Sequence, residues 1–292
     1  MWLIIALAGY FLNAIALTID KALLTKAIPQ PASYAFMIAT LGMLSIVVVP
    51  FGVTFLSLKL LSFSLLAGAF FVAALYAMFS ALKQGEASKI APFIGGIQPI
   101  FVFLIATIFL GEILSGRNLV GFGLVVLGGL VISLHKAKYQ RHAFFVALLA
   151  TIFFAISFTL TKAIFNETFF INGFFWTRLG AFLTALLFLF SPAVRKTLSS
   201  LGQKNKAKTD AFFLFGQIAG ASSFVLVNYA FSLQSVSLVN SLQGIQYVFL
   251  FFMVIPLSYF YPKLWQESLQ RGALLQKVLA ILLISSGLYF LA

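Results

Sequence analysis

The sequence predicts an all-α polytopic membrane protein with ten transmembrane helices, built from two inverted five-helix repeats. Composition, ten long apolar runs and an internal duplication support this prediction. Of the 292 residues, 62% are hydrophobic and 9% are charged, whereas soluble domains carry about 25% charged residues. The runs are continuously apolar, which favours helices over a membrane barrel, because a barrel strand needs about ten alternating residues.

The ten apolar runs approach the roughly 20 residues that a helix needs to cross about 30 Å of hydrocarbon. They lie at about 2–20, 33–52, 63–82, 87–110, 118–134, 143–163, 173–191, 211–233, 236–261 and 272–291. Turn and charge signals separate the runs, at Pro29 to Pro31, Lys83 to Glu86, His135 to His142 and Ser199 to Asp210. The last of these is the one stretch whose composition is typical of a soluble loop.

The internal duplication defines the two repeats. Gly-Ile-Gln-Pro-Ile-Phe-Val-Phe begins at Gly96, and Gly-Ile-Gln-Tyr-Val-Phe-Leu-Phe begins at Gly244. A second, shorter match relates the segment from Ala14 to the segment from Ala155 in the same order. We therefore divide the chain into repeats at 1–141 and 142–292. Since five helices is an odd number, the second copy enters the membrane from the opposite side, which is a common construction in secondary transporters.

Motifs in the first repeat identify a family resemblance. Their order is Ala81-Leu82, Ala87-Ser88, Pro99, Leu110-Gly111-Glu112-Ile113-Leu114 and a glycine-rich run from Gly121 to Gly129. This pattern resembles the EamA repeat of the drug/metabolite transporter superfamily. The resemblance implies a ten-helix transporter, often an exporter of amino acids or other small metabolites, with a cavity between its halves. The second copy departs from the pattern, because Tyr247 replaces Pro99 and Tyr259 to Pro262 stands where Leu-Gly-Glu is expected.

Amide side chains inside the apolar runs are candidate substrate ligands, because a polar group in hydrocarbon needs a partner or a water-filled cavity. We expect the substrate to lie between Gln98 and its repeat partner Gln246. The alternative is that the amides hold helices together. The other candidates are Gln217 and Asn228 on one face of the eighth span, Asn240, Gln243 and Tyr247 on one face of the ninth, and Asn13 on the first. Phe224 and Tyr229 are candidates for lining the cavity.

Proton coupling has no obvious carrier in the first span. In the small multidrug-resistance branch of the superfamily, a membrane glutamate precedes a lysine by eight residues and binds protons. Here Asn13 stands at that spacing before Lys21, and an amide does not titrate. Coupling to protons would then require Asp20, Glu86 or Glu112, of which Glu112 is better interpreted as a cap or loop partner.

Proline and glycine residues predict a hinge in the fourth span, because a proline removes a backbone hydrogen bond from the preceding turn. Pro92 and Pro99 flank Gly95 and Gly96 there, and Pro256 is the corresponding residue in the ninth span. The alternative for the glycines is close helix packing.

Arg178 is a basic residue within the seventh span, and its counterpart in the first repeat is Thr40. Two interpretations are open. The guanidinium either binds a substrate carboxylate bidentately or extends to the membrane interface. Lys162 is the counterpart of Lys21 in the second repeat, and we interpret both as helix-end anchors.

The sequence argues against an enzyme and predicts neither cofactor nor metal. It contains no cysteine, no zinc-protease or serine-hydrolase motif, and its two histidines, His135 and His142, fall in a basic loop. The alternatives to a metabolite transporter are a flippase for a lipid or lipid-linked metabolite and a non-transport membrane bundle. The expected partners are a small metabolite and the lipid bilayer of the cell membrane, and the expected assembly is a monomer or homodimer.

The net charge of +13 predicts topology rather than a nucleic acid partner. Fifteen of the 19 Lys and Arg residues fall on one side of the membrane, and Lys59, Arg117, Lys162 and Arg178 fall on the other. The positive-inside rule then places both termini outside the cell. The family resemblance implies instead that both termini are inside.

Overall fold

The computed structural model describes residues 1–24, 30–84, 87–133, 141–201, 207–260 and 271–292, and these residues form helices joined by short connections. Two helices continue as 3-10 turns, α2 through Met43–Phe51 and α7 through Leu187–Phe190. The α-helices in chain order are α1 Trp2–Leu24, α2 Pro31–Gly42, α3 Leu58–Gln84, α4 Ala87–Leu110, α5 Gly116–Ser133, α6 Arg141–Glu167, α7 Phe170–Leu186, α8 Pro192–Leu201, α9 Ala207–Leu233, α10 Val236–Ser241, α11 Gln243–Phe260 and α12 Arg271–Leu291.

The helices confirm the predicted all-α polytopic membrane fold. Within the described residues, eight helical stretches are long and apolar enough to cross a membrane. Two shorter apolar helical stretches, Gly116–Val131 on α5 and Leu275–Leu291 on α12, occupy the predicted fifth and tenth spans. Each of the ten predicted apolar runs therefore coincides with a helix.

Two features of the helices differ from the prediction. The short helix α8 fills part of the connection that was expected to be a loop, and it carries Arg195 and Lys196 on a polar sequence. The ninth span is also interrupted, because α10 ends at Ser241 and α11 begins at Gln243. The amides of Leu242 and Ile245 donate to the carbonyls of Val239 and Leu242, so tight turns connect the two helices.

The bundle core is formed between the two predicted repeats rather than within each of them. Helix α3 packs against α6 and α7, α1 packs against α9 and α11, and α5 packs against α12. One buried cluster joins Ala6 and Val102 with Phe231, and another joins Phe71 with Ala147. Each cluster thus combines residues from 1–141 with residues from 142–292. The division into inverted repeats stays a prediction.

Helices α3 and α7 cross with their backbones almost in contact. A Cβ atom at Gly68 would lie 2.1 Å from the backbone nitrogen of Ala181, and one at Gly180 would lie 2.6 Å from the carbonyl oxygen of Ser64. Small residues allow this approach, which is a common way for membrane helices to associate. The crossing places Phe71 of α3 beside Arg178 of α7.

Polar contacts join the connections at the end of the bundle that carries both termini. Asn172 accepts a hydrogen bond from the Thr54 amide at 3.1 Å, and Trp176 Nε1 donates to the Thr54 carbonyl at 2.9 Å. Lys59 Nζ lies 2.8 Å from Glu167 Oε1 in an exposed ion pair. These contacts attach the start of α3 and the connection before it to the α6–α7 corner.

The crossing of α3 and α7 predicts opposite effects for two glycine substitutions. We expect Gly68→Ala to lower the free energy of unfolding by about 1–3 kcal/mol, because the added methyl group forces the backbones apart. Thermal unfolding of the purified protein in detergent measures the change.

Gly123→Ala on α5 is the matched control, since a Cβ atom there meets nothing within 4 Å. Alanine has the higher helix propensity by up to about 1 kcal/mol, so this variant should be at least as stable as the wild type. Equal stability of Gly68→Ala and the wild type would contradict the close crossing.

Candidate substrate site

Two hydrogen bonds between amide side chains join the predicted repeats near the middle of the membrane. Asn13 Nδ2 donates to Gln246 Oε1 at 2.7 Å, and Gln98 Nε2 donates to Asn240 Oδ1 at 2.9 Å. Asn13 is the twelfth residue of the 23 in α1, and Gln98 is the twelfth of the 24 in α4. At 1.5 Å per residue, both residues lie about 17 Å from the ends of their helices.

Three of the four amides are buried and Asn13 is half-buried, and they pair differently from the expectation. Gln98, Asn240 and Gln246 are each exposed by 3% or less. The sequence predicted that Gln98 and Gln246 flank the substrate as repeat partners, and the structure pairs each of them with an asparagine of the other predicted repeat. The four residues still belong to one region, because α10 contacts α4, and α11 contacts both α1 and α4.

The interruption of the ninth span leaves polar atoms unpaired beside these amides. Asn240 Nδ2 and Gln243 Oε1 are buried without a hydrogen-bond partner, and they lie on the two sides of the break at Leu242. One is a donor and the other an acceptor. A buried group without a partner costs stability, and interrupted helices in transporters typically surround substrate sites.

Two tyrosines bind backbone carbonyls around the amides. Tyr247 Oη donates to the Ala91 carbonyl of α4 at 2.7 Å, and Tyr10 Oη donates to the Val239 carbonyl of α10 at 3.0 Å. A Cβ atom at Gly95 would lie 2.1 Å from Tyr247 Oη. The glycine at this position therefore makes room for the tyrosine to reach the first turns of α4.

The remaining amide candidates lie on α9, which packs against α1. Asn228 is buried, and its Nδ2 donates to the Phe224 carbonyl of the preceding turn at 2.9 Å. Gln217 is half-buried. No hydrogen bond joins either residue to the amide pairs among the described side chains. Of the two aromatic candidates, Phe224 packs against both buried clusters, whereas Tyr229 is more than one-third exposed and contacts Phe170.

Arg178 lies inside the bundle and does not reach the interface. It is the ninth of the 17 residues of α7 and is 5% exposed. Its guanidinium carbon lies 4.3 Å from the ring centroid of Phe224, 4.5 Å from that of Phe71 and 5.9 Å from that of Phe174. Its Nε is buried without a hydrogen-bond partner.

The predicted hinge residues occupy two helices. Gly95, Gly96 and Pro99 are buried on α4, which continues as one α-helix from Ala87 to Leu110. Pro92 and Pro256 belong to α4 and α11, but their side chains are outside the described part of the structure. The interruption occurs instead at Leu242. Nothing is described for several other sequence candidates, namely the side chains of Asp20, Lys21, Glu86, His135 and Tyr259 to Pro262.

Glu112 and Lys162 form a polar cluster at the end of the bundle that carries the termini. Ser235 Oγ donates to Glu112 Oε1, and Lys162 Nζ donates to the Phe231 carbonyl at 2.9 Å. Ser235 also caps α10 by accepting a hydrogen bond from the Leu238 amide. Glu112 thus contacts the cap of the helix that carries Asn240, in line with the cap or loop role expected from the sequence.

Burial of the Glu112 carboxyl raises its pKa, and this effect outweighs the opposing hydrogen bonds from the start of α10 and the nearby positive charge of Lys162.

Among the described residues, no group of three His, Cys, Asp or Glu side chains is arranged to hold a metal ion.

The fold is that of an all-α polytopic membrane protein. Residues 1–134 match the model of the EamA-like transporter family. The match covers the first predicted repeat and is consistent with an EamA-type transporter of the drug/metabolite transporter superfamily.

A likeness in fold to a solved structure covers nearly the whole chain. A solved chain described as "Crystal structure of protein" superposes with a TM-score of 0.69 over 99% of this chain and 95% of its own length, at 14% sequence identity. At that identity the likeness shows the fold alone. No curated protein matches the sequence.

The amide pair between α1 and α11 predicts a measurable coupling energy. Asn13→Leu and Gln246→Leu should each destabilise the protein, and the double variant should lose less than the sum of the two. We expect an interaction energy of about 0.6–2 kcal/mol, as for hydrogen bonds between membrane helices. Unfolding free energies of the three variants and the wild type give the value, and strict additivity would show that the bond contributes nothing.

Glu112 predicts a pH-dependent stability. Because folding raises its pKa, folding favours the protonated form, and its contribution to stability is lost as the pH rises through the folded-state pKa. Glu112→Gln keeps a neutral side chain, so its melting temperature should exceed that of the wild type at alkaline pH and approach it in acid. Glu167→Gln, which removes an exposed carboxylate at the same end, is the control. A wild-type advantage at alkaline pH would contradict the prediction.

Proposed function

We propose that the chain transports a small polar metabolite, such as an amino acid, across the cell membrane by alternating access between the two predicted repeats. The observation that carries this proposal is the set of four hydrogen-bonded amides Asn13, Gln98, Asn240 and Gln246, the first two of which lie at mid-helix. Their hydrogen bonds cross from one repeat to the other. Export is the direction that the family resemblance implies.

The amides support transport because they can exchange partners. In hydrocarbon an unpaired amide is costly, so the two repeats stay together while the amides bond each other. A polar solute offers the same donors and acceptors and can replace those bonds as the repeats move apart. The unpaired atoms of Asn240 and Gln243 supply one further donor and one further acceptor.

The arrangement of helix neighbours is consistent with inverted repeats. By span number, α3 is the third span and α6 is the sixth. In two five-span repeats the third span corresponds to the eighth, α9, and the sixth corresponds to the first, α1. The contact between α3 and α6 therefore corresponds to a contact between α9 and α1. Both pairs are in contact. The same correspondence converts the pair α4 and α6 into α11 and α1, which also touch. Such a relation lets one half adopt the tilt of the other, which exposes a central site to each side in turn.

The interrupted ninth span is the best candidate for the moving part of the site. Asn240 and Gln246 lie on opposite sides of the break at Leu242, so a change of angle there alters their separation from Gln98 and Asn13. The proposed hinge at Pro92, Gly95, Gly96 and Pro99 is on the partner helix, where Tyr247 binds the Ala91 carbonyl.

Counterflow uptake by proteoliposomes tests the function. The panel contains labelled amino acids, nucleobases and sugars, and the variants are Gln98→Leu and Gln246→Leu. Each variant removes a hydrogen bond that the substrate would otherwise use, worth about 1.4 kcal/mol or more, so we expect uptake at limiting concentration to fall about tenfold.

Gln276→Leu is the control, since Gln276 is a helix glutamine of α12 that donates to the Val131 carbonyl away from the site. Unchanged uptake in both site variants would contradict a site at the amides. Lipid scrambling by the wild type without solute uptake would instead indicate a flippase, and neither activity would indicate a membrane bundle without transport.

A further inference from the structure

The guanidinium of Arg178 is a positive charge in the middle of the membrane that contacts no described carboxylate. Its contacts are three phenyl rings, and its Nε donates to no acceptor. A buried charge is retained when it is paired or serves a ligand. The contrast is Arg117, an exposed arginine that donates to the Tyr289 carbonyl.

The aromatic rings stabilise the charge but leave its hydrogen bonds unmade. A ring face attracts a cation through its quadrupole, yet phenylalanine supplies no lone pair for the five N–H donors of the guanidinium. These donors form a planar fork that matches a carboxylate in bidentate geometry. The missing partner is therefore an anionic acceptor of carboxylate shape.

The surroundings of Arg178 limit what kind of molecule can carry that carboxylate. Phe71 and Phe174 are buried, and Phe224 packs against both apolar clusters. On α2, a Cβ atom at Gly42 would lie 3.4 Å from Arg178 Cδ, so α2 closes another side of the site. A second charge would have no described partner among these rings, which favours a monoanion with an apolar substituent.

The Arg178 site includes Phe224 of α9, the helix that also carries the amide candidate Asn228. Asn228 donates to the carbonyl of Phe224, and the Phe224 ring covers the guanidinium at 4.3 Å. Arg178 is at mid-helix in α7, and Phe71 is the fourteenth of the 27 residues of α3. Both therefore lie near the middle of their helices, as Asn13 and Gln98 do in α1 and α4.

We propose that Arg178 binds the carboxylate of a small monocarboxylate substrate, whose apolar part contacts Phe71, Phe174 and Phe224. The proposal rests on the transport function proposed above and names its substrate class. Binding replaces the missing hydrogen bonds of the guanidinium and neutralises its charge, so closing the site costs less desolvation when it is loaded than when it is empty.

Calorimetric titration of the purified protein tests the carboxylate directly. The probes are butyrate and 3-phenylpropionate, each compared with its uncharged primary amide, and succinate as a dianion. We expect saturable binding of both acids by the wild type, with the phenyl compound the tighter of the two. Binding of the amides and of succinate should be at least tenfold weaker, because the amides lack the charge and succinate brings a second one.

Variants of Arg178 distinguish the role of its charge in binding from a role in folding. Arg178→Gln should lose the preference for acid over amide, and Arg178→Lys should keep the preference with weaker binding, because lysine retains the charge and loses the fork. Arg117→Gln, at an exposed arginine of α5, should bind as the wild type does. If Arg178→Gln fails to fold, Arg178→Lys and Phe224→Leu, each checked by its helical circular dichroism, give the same comparison.

Equal binding of acid and amide by the wild type, absence of saturable acid binding, or an acid preference that survives in Arg178→Gln would each overturn the proposal. Its failure is distinguishable from failure of the transport function. Counterflow of a neutral solute that depends on Gln98 but not on Arg178 would leave transport standing and refute the carboxylate. Acid binding that depends on Arg178, without counterflow of the same acid, would support the carboxylate site and count against its transport.

Discussion

The middle of this bundle depends on one constraint, which is that a polar side chain in hydrocarbon needs a protein or ligand partner. Asn13 and Gln246 satisfy each other, and so do Gln98 and Asn240. Both bonds connect residues 1–141 to residues 142–292. The constraint thus holds the two halves together, and in the transport cycle that we propose a polar solute replaces these bonds.

The same constraint explains why Arg178 differs from the other basic residues assigned to its side of the membrane. Lys59 pairs with Glu167, Arg117 binds the Tyr289 carbonyl, and Lys162 binds the Phe231 carbonyl. These three contacts lie at the end that carries the termini, where they help to hold neighbouring helices together. Arg178 lies at mid-helix among phenyl rings and is the member of the set for which we propose a carboxylate ligand.

Much of the fold follows from the sequence, because membrane spans are continuous apolar runs whose length the bilayer dictates. All ten predicted runs are helical where the structure describes them, although the ninth is divided into two helices. The interruption at Leu242 could not be predicted from average hydropathy, because Val236–Met253 as a whole is apolar enough to count as one span despite the polar residues beside Leu242. Helix α8 was missed because its polar sequence is also typical of a loop.

The candidate site was predictable as a set of residues but not as a set of contacts. Helical spacing indicates which amides share a face, and this placed Asn240, Gln243 and Tyr247 together. Helical spacing does not show which helix packs against each face. The pairing of Gln98 with Asn240, and the rings around Arg178, depend on how helices far apart in the sequence cross, which Gly68 and Gly180 control at α3 and α7.

Alternating exposure of the mid-membrane site is the central claim, and thiol labelling tests it most directly. The sequence has no cysteine, so Ser241→Cys, next to Asn240 and buried in the structure, introduces a single thiol. Membrane-impermeant reagents are applied to sealed vesicles of each orientation, and the labelling rate is measured with and without a transported solute. The account predicts labelling from both sides, slowed by the solute. Labelling from one side alone, or from neither, would contradict it.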